Sequence, residues 1–115
     1  MTQSPLVVIH FKEIDADEEL RSSIENHSQR LAQEFHEIVR VEISLQANGA
    51  GFQAHGHVTG KGIDVATHAD ASKLGPAADL VFNKLEPQLR KIHDKRIFAQ
   101  RRKAQRDPVK RQGSS

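Results

Sequence analysis

The 115-residue sequence contains no cysteine, tryptophan or tyrosine, and phenylalanine occurs five times. Without cysteine there is no disulfide framework and no thiolate metal site, so nothing in the chain requires an oxidising compartment. So few aromatic side chains argue against the base-stacking surface of proteins that bind single-stranded nucleic acids. Any contact with nucleic acid would then depend on charge and shape.

Long apolar runs are also missing. The apolar run at residues 6–9 is too short for the core of a signal peptide, and no basic segment precedes it. No stretch approaches the roughly 18 apolar residues of a membrane span. We therefore expect a cytoplasmic protein without membrane contact, and the length suits one domain.

Positive charge is concentrated at the C-terminal end of the chain. Residues 90–115 hold ten Lys and Arg against two Asp, a formal charge of +8, whereas residues 1–89 hold seven basic and thirteen acidic side chains, a charge of −6. Such asymmetry points to a polyanionic partner, because each cation that neutralises a phosphate releases condensed counterions. The alternative is a solvated, disordered basic tail.

The first half of the chain predicts a strand and then a helix. Residues 6–11 alternate, with Val7, Ile9 and Phe11 on one face. A helix should follow at about residues 16–36, because Asp15 and Glu18 have the spacing of a capping box.

Three further strands follow. Val39, Val41, Ile43 and Leu45 should form the buried face of the next strand, which ends at the turn dipeptide Asn48-Gly49. The two strands after it are joined by a tight turn at residues 60–62.

A second helix is predicted from about Pro76, which is tolerated as the first helical residue. Pro87 should either bend this helix or split it into two. Beyond residue 98 the apolar period fades, and we predict that residues 99–115 form a disordered tail.

The predicted fold is therefore an α+β domain, residues 1–98, with the order β-α-β-β-β-α. Two helices would cover one face of a four-stranded, mostly antiparallel sheet, and the other sheet face would be wet.

A stripe of cations on the second helix is the candidate binding feature. Lys84, Lys91, Lys95 and Arg102 recur at helical spacing, apart from the apolar stripe. Ordinary solvated faces interleave Glu with Lys, but after Glu86 only Asp94 is acidic before Asp107. The pattern favours contact with a phosphate backbone over a merely solvated face.

Histidines are the residues that would carry a metal site or catalysis. Depending on the hairpin register, either His55 opposes His68 or His57 opposes Asp64. Zinc needs three or four converging ligands, and neither an HExxH spacing nor a nucleophile or phosphate-loop motif is present. We expect no catalytic residue, no metal and no cofactor. A base at His57, oriented by Asp64, is the remaining enzyme hypothesis.

Three segments carry a family resemblance. They are Glu18-Glu19-Leu20-Arg21 at the start of the first helix, His57-Val58-Thr59-Gly60 through Ile63 in the hairpin, and the run KLEPQLRKIHDK at residues 84–95. With the element order, they resemble the ribosome hibernation promoting factors, a family that includes the ribosome-associated translation inhibitor. The resemblance covers about residues 6–97.

This resemblance implies a non-enzymatic protein whose fold is similar to a double-stranded RNA-binding domain. It would bind the small ribosomal subunit in the mRNA and tRNA channel, inhibit translation by steric occlusion during stress, and be monomeric off the ribosome. The expected rRNA contacts are Lys84, Arg90, Lys91, Lys95, Arg96, Arg101, Arg102 and, more weakly, Arg21. A general double-stranded RNA-binding module acting away from the ribosome is the alternative.

Overall fold

A computed structural model describes the backbone of residues 4–114 and the side chains of residues 4–97 and 99. The elements are β1 (Leu6–Lys12), α1 (Glu18–Glu34), β2 (Ile38–Asn48), β3 (Gly51–Gly60), β4 (Ile63–Ala71) and α2 (Leu74–Ser114). This order confirms the predicted β-α-β-β-β-α fold. Over the described residues, no helix combines the length and the apolar character needed to cross a membrane.

The four strands form one sheet in the order β1-β2-β3-β4. β1 and β2 are parallel and are connected through α1, whereas β2–β3 and β3–β4 are antiparallel hairpins. Gly49 and Gly62 occupy the two hairpin turns with φ angles of 63° and 69°, a region that glycine adopts without steric cost. The predicted mostly antiparallel sheet is confirmed.

The core lies between one face of the sheet and the two helices. Its largest fully buried side chains are Ile24, Phe35, Ile43, Leu45, Phe82, Leu85 and Leu89. Burying one such side chain stabilises the fold by about 1.5–3 kcal/mol. The strand residues that alternate with the buried ones form the other face, which we call the open face. Its polar members are His10, Lys12, Arg40, Glu42, Ser44, Gln46, Asn48, Gln53, His55, His57, Thr59, Asp64, His68 and Asp70.

The start of β2 differs from the predicted alternation. Val41, Ile43 and Leu45 are buried as expected, but Val39 is 62% exposed and Ile38 is buried in its place. The pairing of β2 with β3 shifts between Ile38 and Arg40. An irregularity of this kind inserts an extra residue and so reverses the faces on one side of it.

Helix α1 begins two residues later than predicted, at Glu18. Its N-cap is Asp17, whose Oδ1 accepts a hydrogen bond of 3.1 Å from the backbone N–H of Leu20. The predicted capping box of Asp15 with Glu18 is therefore wrong, because the side chain of Asp17 accepts the hydrogen bond from a free N–H group of the first turn instead.

Helix α2 begins at Leu74, two residues before the predicted start. Pro76 is tolerated because the first intrahelical bond runs from the N–H of Ala77 to the carbonyl of Lys73. The helix continues through Pro87 to Ser114, so it is not split there; a bend at Pro87 stays a prediction. Its backbone also runs through the segment for which composition predicts disorder. The side chains after Ala99 lie outside the described ones, and the domain boundary at residue 98 stays a prediction.

Candidate nucleic-acid interface

The cations of α2 lie beside its buried stripe. Leu85 and Leu89 are fully buried and mark the side of the helix that faces the sheet. Lys84, Lys91 and Lys95 share one flank, because offsets of seven and four residues return to nearly the same angle at about 100° per residue. All three are exposed. We call these three lysines the basic flank.

Lys84 shows where the basic flank lies. Its Nζ donates a hydrogen bond of 2.9 Å to the backbone carbonyl of His68. His68 belongs to β4, an edge strand of the sheet. The basic flank therefore runs along this edge. Lys84 has two further N–H donors with which to reach a phosphate.

Arg96 links α2 to the β3–β4 turn through a hydrogen bond. Its Nη1 donates a hydrogen bond of 2.6 Å to the backbone carbonyl of Lys61. A Cβ atom at Gly62 would lie 3.3 Å from the same nitrogen, so the turn and the guanidinium are in close contact. This contact brings the exposed Lys61 beside the helix. Sequence reasoning missed Lys61, whose only signal was its place between two turn glycines.

Lys91 and Lys95 are the most available cations of the basic flank. Both are exposed, and among the described side chains neither forms a hydrogen bond or an ion pair. A phosphate that approaches them would not have to displace a carboxylate. The side chains of Arg101 and Arg102, also predicted as RNA contacts, lie outside the described ones.

Arg90 lies away from the basic flank, on the side of α2 that meets α1. Its guanidinium donates a hydrogen bond of 2.8 Å to Glu34, lies 3.4 Å from Glu86, and sits 5.6 Å from the ring centre of Phe35. The hydrogen bond and the charge of Glu34 raise the pKa of Arg90. An RNA phosphate would have to compete with two carboxylates for this residue.

Arg21 lies far from the other predicted contacts. Its Nε donates a hydrogen bond of 2.9 Å to Glu18, and its guanidinium lies 5.2 Å from the ring centre of Phe11 in β1. β1 and β4 are opposite edges of the sheet. Three strand spacings of about 4.8 Å separate those edges. The structure therefore does not bring Arg21 to the basic flank.

The open face brings histidines together without completing a metal site. His55 opposes His68 in the β3–β4 register, with ring centres 5.6 Å apart. His57 Nε2 lies 2.7 Å from Asp64 Oδ1 on a diagonal, so both predicted neighbours occur. Within the part of the chain that the structure describes, no group of three or more ligating side chains converges on a point where an ion could bind.

Most of the chain, including the basic flank, matches a known protein family. Residues 7–97 match the family described as sigma 54 modulation protein / S30EA ribosomal protein. The chain belongs to this family. The match confirms the resemblance drawn from residues 6–97, and it includes Lys61 and the whole basic flank. No curated protein sequence matches the chain significantly.

Solved structures share the family fold. A ribosomal subunit interface protein from Coxiella burnetii is 23% identical, with a TM-score of 0.70 over 76% of this chain and 97% of its own. The N-terminal domain of Protein Y from Thermus thermophilus is 19% identical, with a TM-score of 0.67 over 77% of this chain and 98% of its own. At these identities the likeness shows the fold.

Proposed function

We propose that this protein is a ribosome-associated translation inhibitor that binds the rRNA of the small subunit in the mRNA and tRNA channel. It acts in the cytoplasm during stress, as a monomer off the ribosome. The inhibitor occupies the channel and excludes mRNA and tRNA, and no bond is made or broken. The observation that carries the proposal is the basic flank beside the β3–β4 turn, in a chain of the S30EA family.

The geometry suits a phosphate backbone. Lys91 and Lys95 project from a helix whose buried side fixes their direction, and Lys61 is held nearby through Arg96. Lysine binds phosphate as a point charge, and counterion release supplies affinity without reading base sequence. Arg96 and Lys84 also position this surface, because each joins α2 to the sheet. The similar fold of the Coxiella burnetii ribosomal subunit interface protein gives further support.

Charge reversal on the basic flank tests the proposal. The variant Lys91→Glu/Lys95→Glu should sediment free of purified small subunits in a sucrose gradient. It should also reduce the magnitude of the slope of log affinity against log salt by about two, because about one counterion is released for each phosphate contact that forms and two such contacts are lost. Its circular dichroism should be unchanged, since both side chains are exposed.

A matched control changes the net charge by the same amount elsewhere. Arg21→Glu/Arg30→Glu alters two cations of α1, away from the β4 edge. We expect this variant to keep most of its binding. Equal loss in both variants would show that net charge, not the basic flank, holds the protein on the ribosome. Equal affinity of the parent chain for free duplex RNA and for small subunits would instead indicate a general double-stranded RNA-binding module.

A further inference from the structure

Four of the seven histidines lie on the open face. His10, Ser44, His55 and His68 are successive partners in the registers of β1, β2, β3 and β4, so they form one row across the whole sheet. His57 lies two residues along β3 from this row. Both helices pack on the other face of the sheet, and His10, His55, His57 and His68 are all exposed.

The other charged groups on this face are few. They are Lys12 on β1, Arg40 and Glu42 on β2, and Asp64 and Asp70 on β4. Two cations against three carboxylates give a formal charge of −1 when the histidines are neutral, and four protonated histidines would raise it to +3. Histidine is the side chain whose charge ordinarily changes between about pH 5 and 8. Protonation of these histidines would therefore reverse the sign of the charge on the open face.

The surroundings of the four histidines divide them into two kinds. His10 and His57 lie 3.3 Å from Glu42 and 2.7 Å from Asp64, so their protonated rings would form internal ion pairs. His55 and His68 face one another, and His55 contacts only the neutral side chain of Gln53, at 2.8 Å. Among the described side chains, neither His55 nor His68 forms an ion pair, and the nearest carboxylate along β4, that of Asp70, already accepts a hydrogen bond from Asn48.

We propose that the open face is a second contact for RNA, formed when its histidines are protonated, with His55 and His68 at its centre. Protonated imidazoles donate hydrogen bonds to phosphate oxygens, and imidazole rings also stack on unpaired bases. A shallow depression of about 280 Å³ lies beside His55, and its lining includes Lys12, Glu42, Ser44 and His57.

This second contact adjoins the basic flank. Lys84 of the basic flank donates a hydrogen bond to the backbone carbonyl of His68, whose side chain belongs to the open face. Only the edge strand β4 therefore lies between the basic flank and the open face. A single RNA strand that passes over β4 would reach both. The inference rests on the proposed function for the identity of the ligand as RNA. It adds that binding strengthens as the pH falls, through residues that the basic flank does not include.

Fluorescence anisotropy with a short, labelled single-stranded RNA tests the proposal. The parent chain should bind roughly tenfold more tightly at about pH 5.5 than at about pH 7.5, because added cations gain phosphate contacts. The variant His55→Gln/His68→Gln should lose most of this increase and keep the affinity measured at the higher pH. His36→Gln, which removes an exposed histidine from the loop between α1 and β2, should keep the full increase.

Two further measurements distinguish failure of this proposal from failure of the proposed function. Lys91→Glu/Lys95→Glu should bind weakly at both pH values but still tighten on acidification, so loss of the basic flank is distinguishable from loss of the open face. An unchanged acid response in His55→Gln/His68→Gln, with a native circular dichroism spectrum, would overturn the proposal. So would an equal acid response towards anionic lipid vesicles, because the open face would then recognise charge in general rather than RNA.

Discussion

At the scale of single residues, Gly56 sets how closely α2 approaches the sheet. A Cβ atom at this position would lie 2.5 Å from Cγ1 of Val81 and 3.1 Å from Cδ1 of Leu85, both of them fully buried. Neither side chain has free space to move into, since protein interiors are packed as densely as organic crystals. This close contact sets the distance between β3 and α2, the helix that carries the basic flank.

We expect Gly56→Ala to lower the free energy of unfolding by about 1–3 kcal/mol, the usual cost of overpacking. Gly75→Ala is the matched control, because a Cβ atom there meets nothing within 4 Å. That change in α2 should stabilise the protein by about 0.4–1 kcal/mol, since it restricts the unfolded chain. Urea unfolding measures both, and a Gly56→Ala variant as stable as the parent would show that α2 is less tightly packed than described.

His27 makes stability depend on pH. Its ring stacks on Phe82 between the two helices, with centroids 3.9 Å apart and planes 11° from parallel. Burial lowers the pKa of His27, and repulsion by Arg30 lowers it further. The unfolded chain therefore binds a proton at this residue more readily than the folded protein does. The contribution of neutral His27 to the free energy of unfolding is fully present above about pH 6.5. It is lost as the pH falls from there to the pKa of His27 in the folded protein, and it falls no further below that pKa.

The variant His27→Phe should keep the stacking and lose this pH dependence. We expect urea unfolding to give a smaller drop in stability between about pH 7.5 and pH 5 than in the parent chain. His36→Gln serves as the control and should retain the parent's drop. An equal drop in all three proteins would assign the acid sensitivity to other groups.

At the scale of elements, the spacing of apolar residues along the chain was enough to predict all six elements and most of the core faces of the middle strands. It failed where a tertiary contact decides the outcome. Ile38 replaces Val39 in the core because the β2–β3 pairing is irregular, and a single sequence contains no sign of that shift. The helix through Pro87 continues although proline lacks an N–H, since α2 is held by burial along its whole first half.

The start of α1 provides a test at this scale. Asp17→Ala should cost about 0.5–2 kcal/mol, because the N–H of Leu20 loses its acceptor. Asp15→Ala removes the same charge two residues earlier and should stay within about 0.5 kcal/mol of the parent. Comparable losses in the two variants would mean that negative charge near the helix N-terminus matters and the cap does not.

At the scale of the whole molecule, the division of charge becomes a division of surfaces. Positive charge lines the β4 edge, and carboxylates of α1 and α2 engage Arg90 on the other side of α2. Spacing along one helix was enough to group Lys84, Lys91 and Lys95. It could not reveal that Arg90 pairs with Glu34, 56 residues away, or that Lys61 reaches the helix through Arg96, because those contacts exist only after folding.

Stoichiometry of inhibition tests the central claim most directly. In a purified translation system, a protein that fills the mRNA and tRNA channel should inhibit with saturation at roughly one protein per ribosome. Excess mRNA and initiator tRNA should relieve the inhibition, Lys91→Glu/Lys95→Glu should not inhibit, and His57→Ala should inhibit like the parent. Progressive inactivation by substoichiometric protein, abolished by His57→Ala, would contradict the account and indicate an enzyme on the open face.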